Sequence, residues 1–100
     1  MVELSTLRVF LVAAEEKNFS KAARRLNMSQ SAVSQNIQSM EQVYNVELFQ
    51  RHGRSVILSE IGEALLPMAR DVLRAARLME DSVRDVKNEI GGELLIGCST

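Results

Sequence analysis

The sequence predicts a mainly helical fold of three short helices, a two-stranded wing and one long helix. Three observations carry that reading. Apolar residues recur at spacings of three and four through Leu4 to Ala14, Phe19 to Leu26 and Val33 to Tyr44. Two short β-prone runs, 46–51 and 55–58, flank His52-Gly53-Arg54, where glycine supplies permissive turn geometry. Beyond Ser59 a helical period resumes and continues to about Glu89.

The first helix carries Leu4, Leu7, Phe10, Leu11 and Ala14 on one face, with Ser5 as the expected cap and Lys17-Asn18 at its basic, turn-prone end. It is a packing element. A cap at Ser20 is expected to start the second helix, which buries Phe19, Ala22, Ala23 and Leu26 and stops at Asn27-Met28-Ser29. Ser29 or Ser31 then caps the third, which is expected to bury Val33, Ile37, Met40 and Tyr44. Its other face presents Gln30, Ser31, Ser34, Gln35 and Gln38. That face is short, uncharged and amide-rich, whereas an ordinary surface helix carries Lys and Glu there. Forked donor and acceptor groups are what a helix needs to meet base edges in a major groove. Two helices around a tight corner followed by a hairpin make a winged helix-turn-helix, and this one reads as a DNA reader.

Ser59 caps the long fourth helix, and Glu60 and Glu63 place negative charge in its first turn, where the helix dipole favours it. Leu65, Met68, Val72, Ala75 and Met79 form a seam that resumes, after one four-residue step, at Val83, Val86 and Ile90. Such a stuttered coiled-coil stripe calls for a second copy of the same helix. Pro67 deletes one backbone hydrogen bond and crowds the preceding turn, so a kink is expected there. Gly91-Gly92 is expected to end the helix, and Glu93-Leu94-Leu95-Ile96-Gly97 to begin a strand whose sheet lies beyond Thr100. The resulting organisation is 1–59 as the winged domain, with the helix-turn-helix at about 19–38. It continues with 60–90 as a dimerisation linker, and 91–100 as a hinge and first strand of a further domain.

One hundred residues with 46% apolar content suffice for one small core plus an appendage. Twelve Lys and Arg against thirteen Asp and Glu give a net charge of -1, so overall charge lends no support to nucleic-acid binding. Distribution is more informative. Lys17, Lys21, Arg24 and Arg25 cluster around the second helix, and Arg51, His52 and Arg54 around the hairpin, two groups able to straddle a phosphate backbone. Cys98 is the sole cysteine, which excludes an internal disulfide and fits a reducing compartment. Neither an export signal nor a membrane-length apolar run is present, so the expected location is cytoplasmic. One His and one Cys separated by a long helix make neither a metal site nor a nucleophile and base, so no enzyme, metal or cofactor is expected.

Phe19-Ser20-x-Ala22-Ala23, Leu26, Ser29-Gln30-Ser31-Ala32-Val33-Ser34, Ile37, Glu41, Leu48-Phe49-x-Arg51, Leu58-Ser59-x-x-Gly62 and Gly92-x-Leu94-x-Ile96-Gly97 follow one another in a specific order. In that order and spacing the chain resembles the amino-terminal domain of LysR-type transcriptional regulators, over nearly its whole length. The resemblance implies a linker helix pairing two subunits, a carboxy-terminal effector-sensing domain that binds a small-molecule co-inducer, and recruitment or blocking of RNA polymerase. Ser31 stands where the family often has proline, and Gln35 and Gln38 where many members have a basic residue, so readout there rests on amides. Asn45 replaces a common glycine and tolerates a left-handed conformation, and Ser59 replaces a common threonine.

The expected base-reading set is Gln30, Ser31, Ser34, Gln35 and Gln38, with Ser20, Lys21, Ser29, Arg51 and Arg54 on the backbone or minor groove. The expected dimer seam is Leu65, Met68, Val72, Ala75, Met79, Val83 and Val86. The expected partners are double-stranded DNA and a second copy of the chain. Two other readings fit parts of the sequence. One is a structural coiled-coil module whose polar face is merely solvated, and the other is a different winged-helix family that binds DNA as a monomer or uses its wing for proteins.

Overall fold

The computed structural model describes the backbone of residues 1–97 and the side chains of residues 1–89. The chain runs α1 (Leu4–Glu16), α2 (Phe19–Leu26), α3 (Gln30–Tyr44), β1 (Phe49–His52), β2 (Ser55–Leu58) and α4 (Glu60–Gly97). The first three helices pack on one another, and the wing and the start of α4 close the same core.

Three helix starts share one device: a side-chain oxygen at the cap accepts from the backbone N–H three residues on, satisfying one of the donors that a helix start leaves open. In α2 the pair is Asn18 Oδ1 and Lys21 N at 2.8 Å, in α3 Ser29 Oγ and Ala32 N at 3.1 Å, and in α4 Ser59 Oγ and Gly62 N at 3.0 Å. Ser29, not Ser31, therefore caps α3. Ser20, expected as the cap of α2, lies inside it, because Asn18 reaches the orphan amide first. Ser5 likewise lies within α1, whose cap position is Glu3 with no side-chain bond.

Helices α1, α2 and α3 all end on a left-handed residue: Lys17 at φ 56°, Asn27 at 59° and Asn45 at 54°. Asparagine tolerates this conformation; lysine adopts it because its neighbours fix it. Lys17 N–H donates to the Ala13 carbonyl, and the Lys17 carbonyl accepts from Val56 N–H at 3.0 Å, which fastens β2 to the α1–α2 corner.

Core side chains come from every element except the distal part of α4. Phe10, Met40, Leu48 and Val33 are the largest fully buried ones. Phe49 of β1 is met edge-on by Phe10 of α1 and Phe19 of α2, with ring centroids 5.7 and 5.4 Å apart. Tyr44, expected in the buried stripe of α3, is 47% exposed, since it lines an open apolar groove with Leu7 of α1 and Ile61 of α4 instead of packing into the core.

The wing is an antiparallel pair with Phe49 opposite Leu58 and His52 opposite Ser55. Its turn is Gly53-Arg54, and positive φ at Gly53 alone (62°) is the two-residue geometry with glycine first, whose twist matches the strands. The first strand begins at Phe49, not Val46. Val46 N–H is consumed by the Glu41 carbonyl at the end of α3, and Leu48 N–H by the Glu41 carboxylate at 2.8 Å, so neither amide joins the ladder.

Helix α4 packs its first turns on α1 and on the wing. Gly62 lies so close to the Leu48 carbonyl that an added Cβ would collide with it. Gly62→Ala is expected to destabilise the chain by about 1–3 kcal/mol through overpacking, read as a lowered urea midpoint at unchanged slope. The helix continues across Pro67 and through Gly91-Gly92 to Gly97. It thus runs on over residues 91–97, where the sequence predicts a hinge and strand, and the backbone amides there are satisfied within the helix. Residues 98–100 of that expected strand lie outside the described residues. The radius of gyration is 17.9 Å, against about 13 Å for a compact chain of this length, because distal α4 stands clear of the core.

Candidate nucleic-acid interface

The buried side of α3 is Val33, Ile37 and Met40, none more than 3% exposed. On the far side Gln30, Ser31, Gln35 and Gln38 are exposed and Ser34 half-buried, so all five expected readers share one free face. The flanks fix its rotation. Asn36 accepts from Thr6 Oγ1 at 3.1 Å and donates to the Ala32 carbonyl at 2.8 Å, tying one edge to α1. Glu41, through Leu48 N–H, ties the other edge to the wing.

Backbone candidates divide into two groups. Ser29 uses its oxygen on Ala32 N–H and keeps its proton for an outside acceptor. Arg51 stands opposite Val56 in the ladder, so both side chains lie on the face turned towards α3, and Arg51 lines a cleft with Ser34 and Gln38. Lys21 is exposed on α2 and Arg54 at the hairpin tip. Ser20, expected on the backbone or minor groove, donates to Gln30 Oε1 at 2.8 Å across the corner between α2 and α3.

Asn18 has a role that the sequence reading did not give it. Besides capping α2 it donates from Nδ2 to the Arg54 carbonyl at 3.4 Å, holding the wing tip beside the start of α2. The available signal was its place three residues before Lys21, the spacing of a cap and the amide it satisfies.

Arg25 leaves the basic cluster. Its guanidinium meets Glu15 at 2.9 Å and Glu16 at 3.1 Å, and these side-chain hydrogen bonds raise its pKa above the ordinary value. Glu15 also lies 3.6 Å from Arg70, so the group joins α2 and α4 to α1. Lys17, Lys21 and Arg24 are exposed beside it.

The expected seam divides along α4. Leu65 is half-buried, while Met68 (61%), Val72 (44%), Met79 (65%), Val83 and Val86 are exposed, as is Ala75. The half-buried Leu73 and Ala76 belong instead to the face turned towards α1. At its near end the exposed stripe opens into an apolar groove of about 450 Å³ lined by Leu7, Met40, Tyr44, Ile61, Leu65 and Met68. The Ile90 side chain of the seam, and Cys98, lie outside the described residues.

Among the described residues no three His, Cys, Asp or Glu side chains are grouped to hold a metal ion, and no helix is long and apolar enough to cross a membrane.

A polar recognition helix held free on a three-helix core, beside a wing carrying arginine, defines a DNA-binding regulator of transcription. Comparison with known proteins agrees. Residues 4–63 match the family described as "Bacterial regulatory helix-turn-helix protein, lysR family", and the chain belongs to that family. It is 37% identical over 98 residues to an uncharacterized HTH-type transcriptional regulator in the ibpB-leuC intergenic region of Azotobacter vinelandii, covering 98% of this chain and 68% of that protein. It is 41% identical to the HTH-type transcriptional regulator ShiR of Corynebacterium glutamicum (strain R), with 98% and 33% covered. Thus the chain spans about a third of the length of curated relatives such as ShiR. Among solved structures, the crystal structure of the CbnR_DBD-DNA complex superposes with a TM-score of 0.80 at 33% identity, covering 85% of this chain and 98% of that one.

Proposed function

We propose that this chain binds a pseudo-palindromic operator as a homodimer, with α3 of each copy in successive major grooves, and so controls transcription. The observation that carries the proposal is the free amide face from Gln30 to Gln38 on a helix whose opposite side is buried. Gln30, Ser31, Ser34, Gln35 and Gln38 read bases, while Ser20, Lys21, Ser29, Arg51 and Arg54 neutralise or donate to the backbone or minor groove. The second copy covers Met68, Val72, Ala75, Met79, Val83, Val86 and the groove around Leu65, because a stripe of this size left in water favours association. The linker pairing fixes the distance between the two readers and hence the half-site spacing that fits. In the intact protein a further domain after the linker binds a small-molecule effector that alters this spacing, and the bound dimer recruits or blocks RNA polymerase. The role is that of a cytoplasmic binding protein, not an enzyme, with no cofactor or metal.

Salt titration of duplex binding separates this reading from a structural coiled-coil module. A DNA reader loses affinity steeply as salt rises, and a scaffold shows no duplex binding and no slope. Arg51→Ala is expected to weaken binding about equally for all sequences and to reduce the salt slope by about one. Gln35→Ala is expected to relax specificity at one base step by about 1–3 kcal/mol with little change in the slope, measured as affinity for duplexes varied at each position.

A further inference from the structure

The corner between α1 and α2 holds a lysine in a backbone conformation that suits glycine. Lys17 has φ 56° and ψ 26°, left-handed geometry in which a Cβ crowds the following carbonyl. The ends of α2 and α3 meet the same demand with Asn27 and Asn45, whose short polar side chains tolerate it. A lysine side chain has no such compensation. Nor is the corner free to relax: Lys17 N–H donates to the Ala13 carbonyl, the Lys17 carbonyl accepts from Val56 N–H at 3.0 Å, and Asn18 caps α2. All three bonds are made by backbone atoms or by the neighbouring residue, so glycine at position 17 would keep them with less strain.

The fold makes no use of the lysine side chain. It is exposed, and among the described residues it enters no ion pair, although Glu15 and Glu16 stand directly before it in the chain. Those carboxylates turn to Arg25 and Arg70 instead. Its place is also particular. Asn18, the next residue, accepts from Lys21 N–H at 2.8 Å and donates to the Arg54 carbonyl at 3.4 Å, so Lys17 stands beside the point where the start of α2 meets the hairpin tip.

We propose that Lys17 is a phosphate-contacting residue, kept at a cost to the stability of the fold because its ammonium joins Lys21 and Arg54 in one cationic patch along the backbone of bound DNA. The proposal rests on the reading of the chain as a DNA binder. A compact charge on a flexible stem meets a phosphate without fixed geometry, which suits a position outside the groove. Backbone strain that serves no packing collects at functional sites, because stability alone would favour another residue there.

Lys17→Gly and Lys17→Asn, with Lys17→Arg as the conservative variant, test this through two measurements of opposite sign. Urea unfolding is expected to give Lys17→Gly a higher midpoint than the wild type. Titration of a mixed-sequence duplex is expected to show the reverse, with Lys17→Gly and Lys17→Asn binding more weakly at low salt. For each bound copy their slope of log affinity against log salt falls by about 0.9, so the deficit shrinks about threefold per copy between about 50 and 200 mM salt. Lys17→Arg is expected to keep the wild-type slope. A lysine placed only to complement the negative end of α1 would lower the midpoint of Lys17→Gly and leave the salt slope of every variant unchanged, and either result overturns the proposal. A wild type without salt-dependent duplex binding would instead overturn the reading of the chain as a DNA binder.

Discussion

Replacing Met68, Val72 and Met79 together by glutamine is expected to convert the dimer to a monomer and to lower affinity for a two-half-site duplex by about 10²–10⁴-fold. These side chains are 44–65% exposed on a single copy of the chain, so no lost internal packing offsets the effect. Glutamine is a good helix former and uncharged, so α4 is preserved and repulsion from phosphates is not introduced. The loss follows from geometry: joining two readers makes the second binding event intramolecular, and that gain disappears with the seam. Sedimentation reports the association state, and titration at fixed salt reports affinity for one and two half-sites. Persistence of the dimer, or an unchanged preference for two half-sites in a monomer, would count against the seam.

Phe10→Ala is expected to destabilise the chain by about 3–5 kcal/mol, a large fraction of the roughly 5–15 kcal/mol available to a small domain. Phe10 is fully buried, and its ring meets Phe49 of the wing at 5.7 Å and 70°. Phe19 also packs near-perpendicular to Phe49, with ring centroids 5.4 Å apart, so one aromatic cluster links α1, α2 and β1. Removing Phe10 leaves a cavity at the point where the wing is held against the helices. Urea unfolding measures the change, and Phe10→Leu, which fills part of the space, is expected to lose less. A loss below about 1 kcal/mol for Phe10→Ala would show that the site collapses freely and that the cluster does not organise the core.

Much of this architecture was legible because periodicity and turn chemistry are local. The stripe through Val33, Ile37 and Met40 fixed which side of α3 is buried, and the polar face followed as its complement. Asn45 and Gly53 adopt the left-handed geometry that their residue types favour. The errors arose where neighbours compete for the same partner. Ser5 and Ser20 are good caps by type, but a cap is decided by which oxygen reaches the open amide, and at α2 Asn18 is there first. Val46 and Leu48 have apolar side chains that suit a strand, yet their amides are claimed by Glu41, five and seven residues back, which no β-propensity records. Tyr44 keeps the spacing of the buried stripe but lies on the rim of the apolar groove between α3, α1 and α4, where it stays 47% exposed. The Ser20 to Gln30 bond joins positions ten residues apart across a corner, and only the folded geometry reveals that one of the five expected reader side chains touches the neighbouring helix. Charge counting was similarly blind to Arg25, whose position in the basic cluster conceals its pairing with Glu15 and Glu16.

The central claim is that the amide face of α3 touches nucleobases. A structure of the chain bound to a duplex recovered by selection tests it most directly. The expected result places α3 in a major groove, with side-chain atoms of Gln30, Gln35 or Gln38 within about 3.2 Å of base edges. A duplex seated elsewhere, or an α3 polar face packed against protein in the bound dimer, would contradict it.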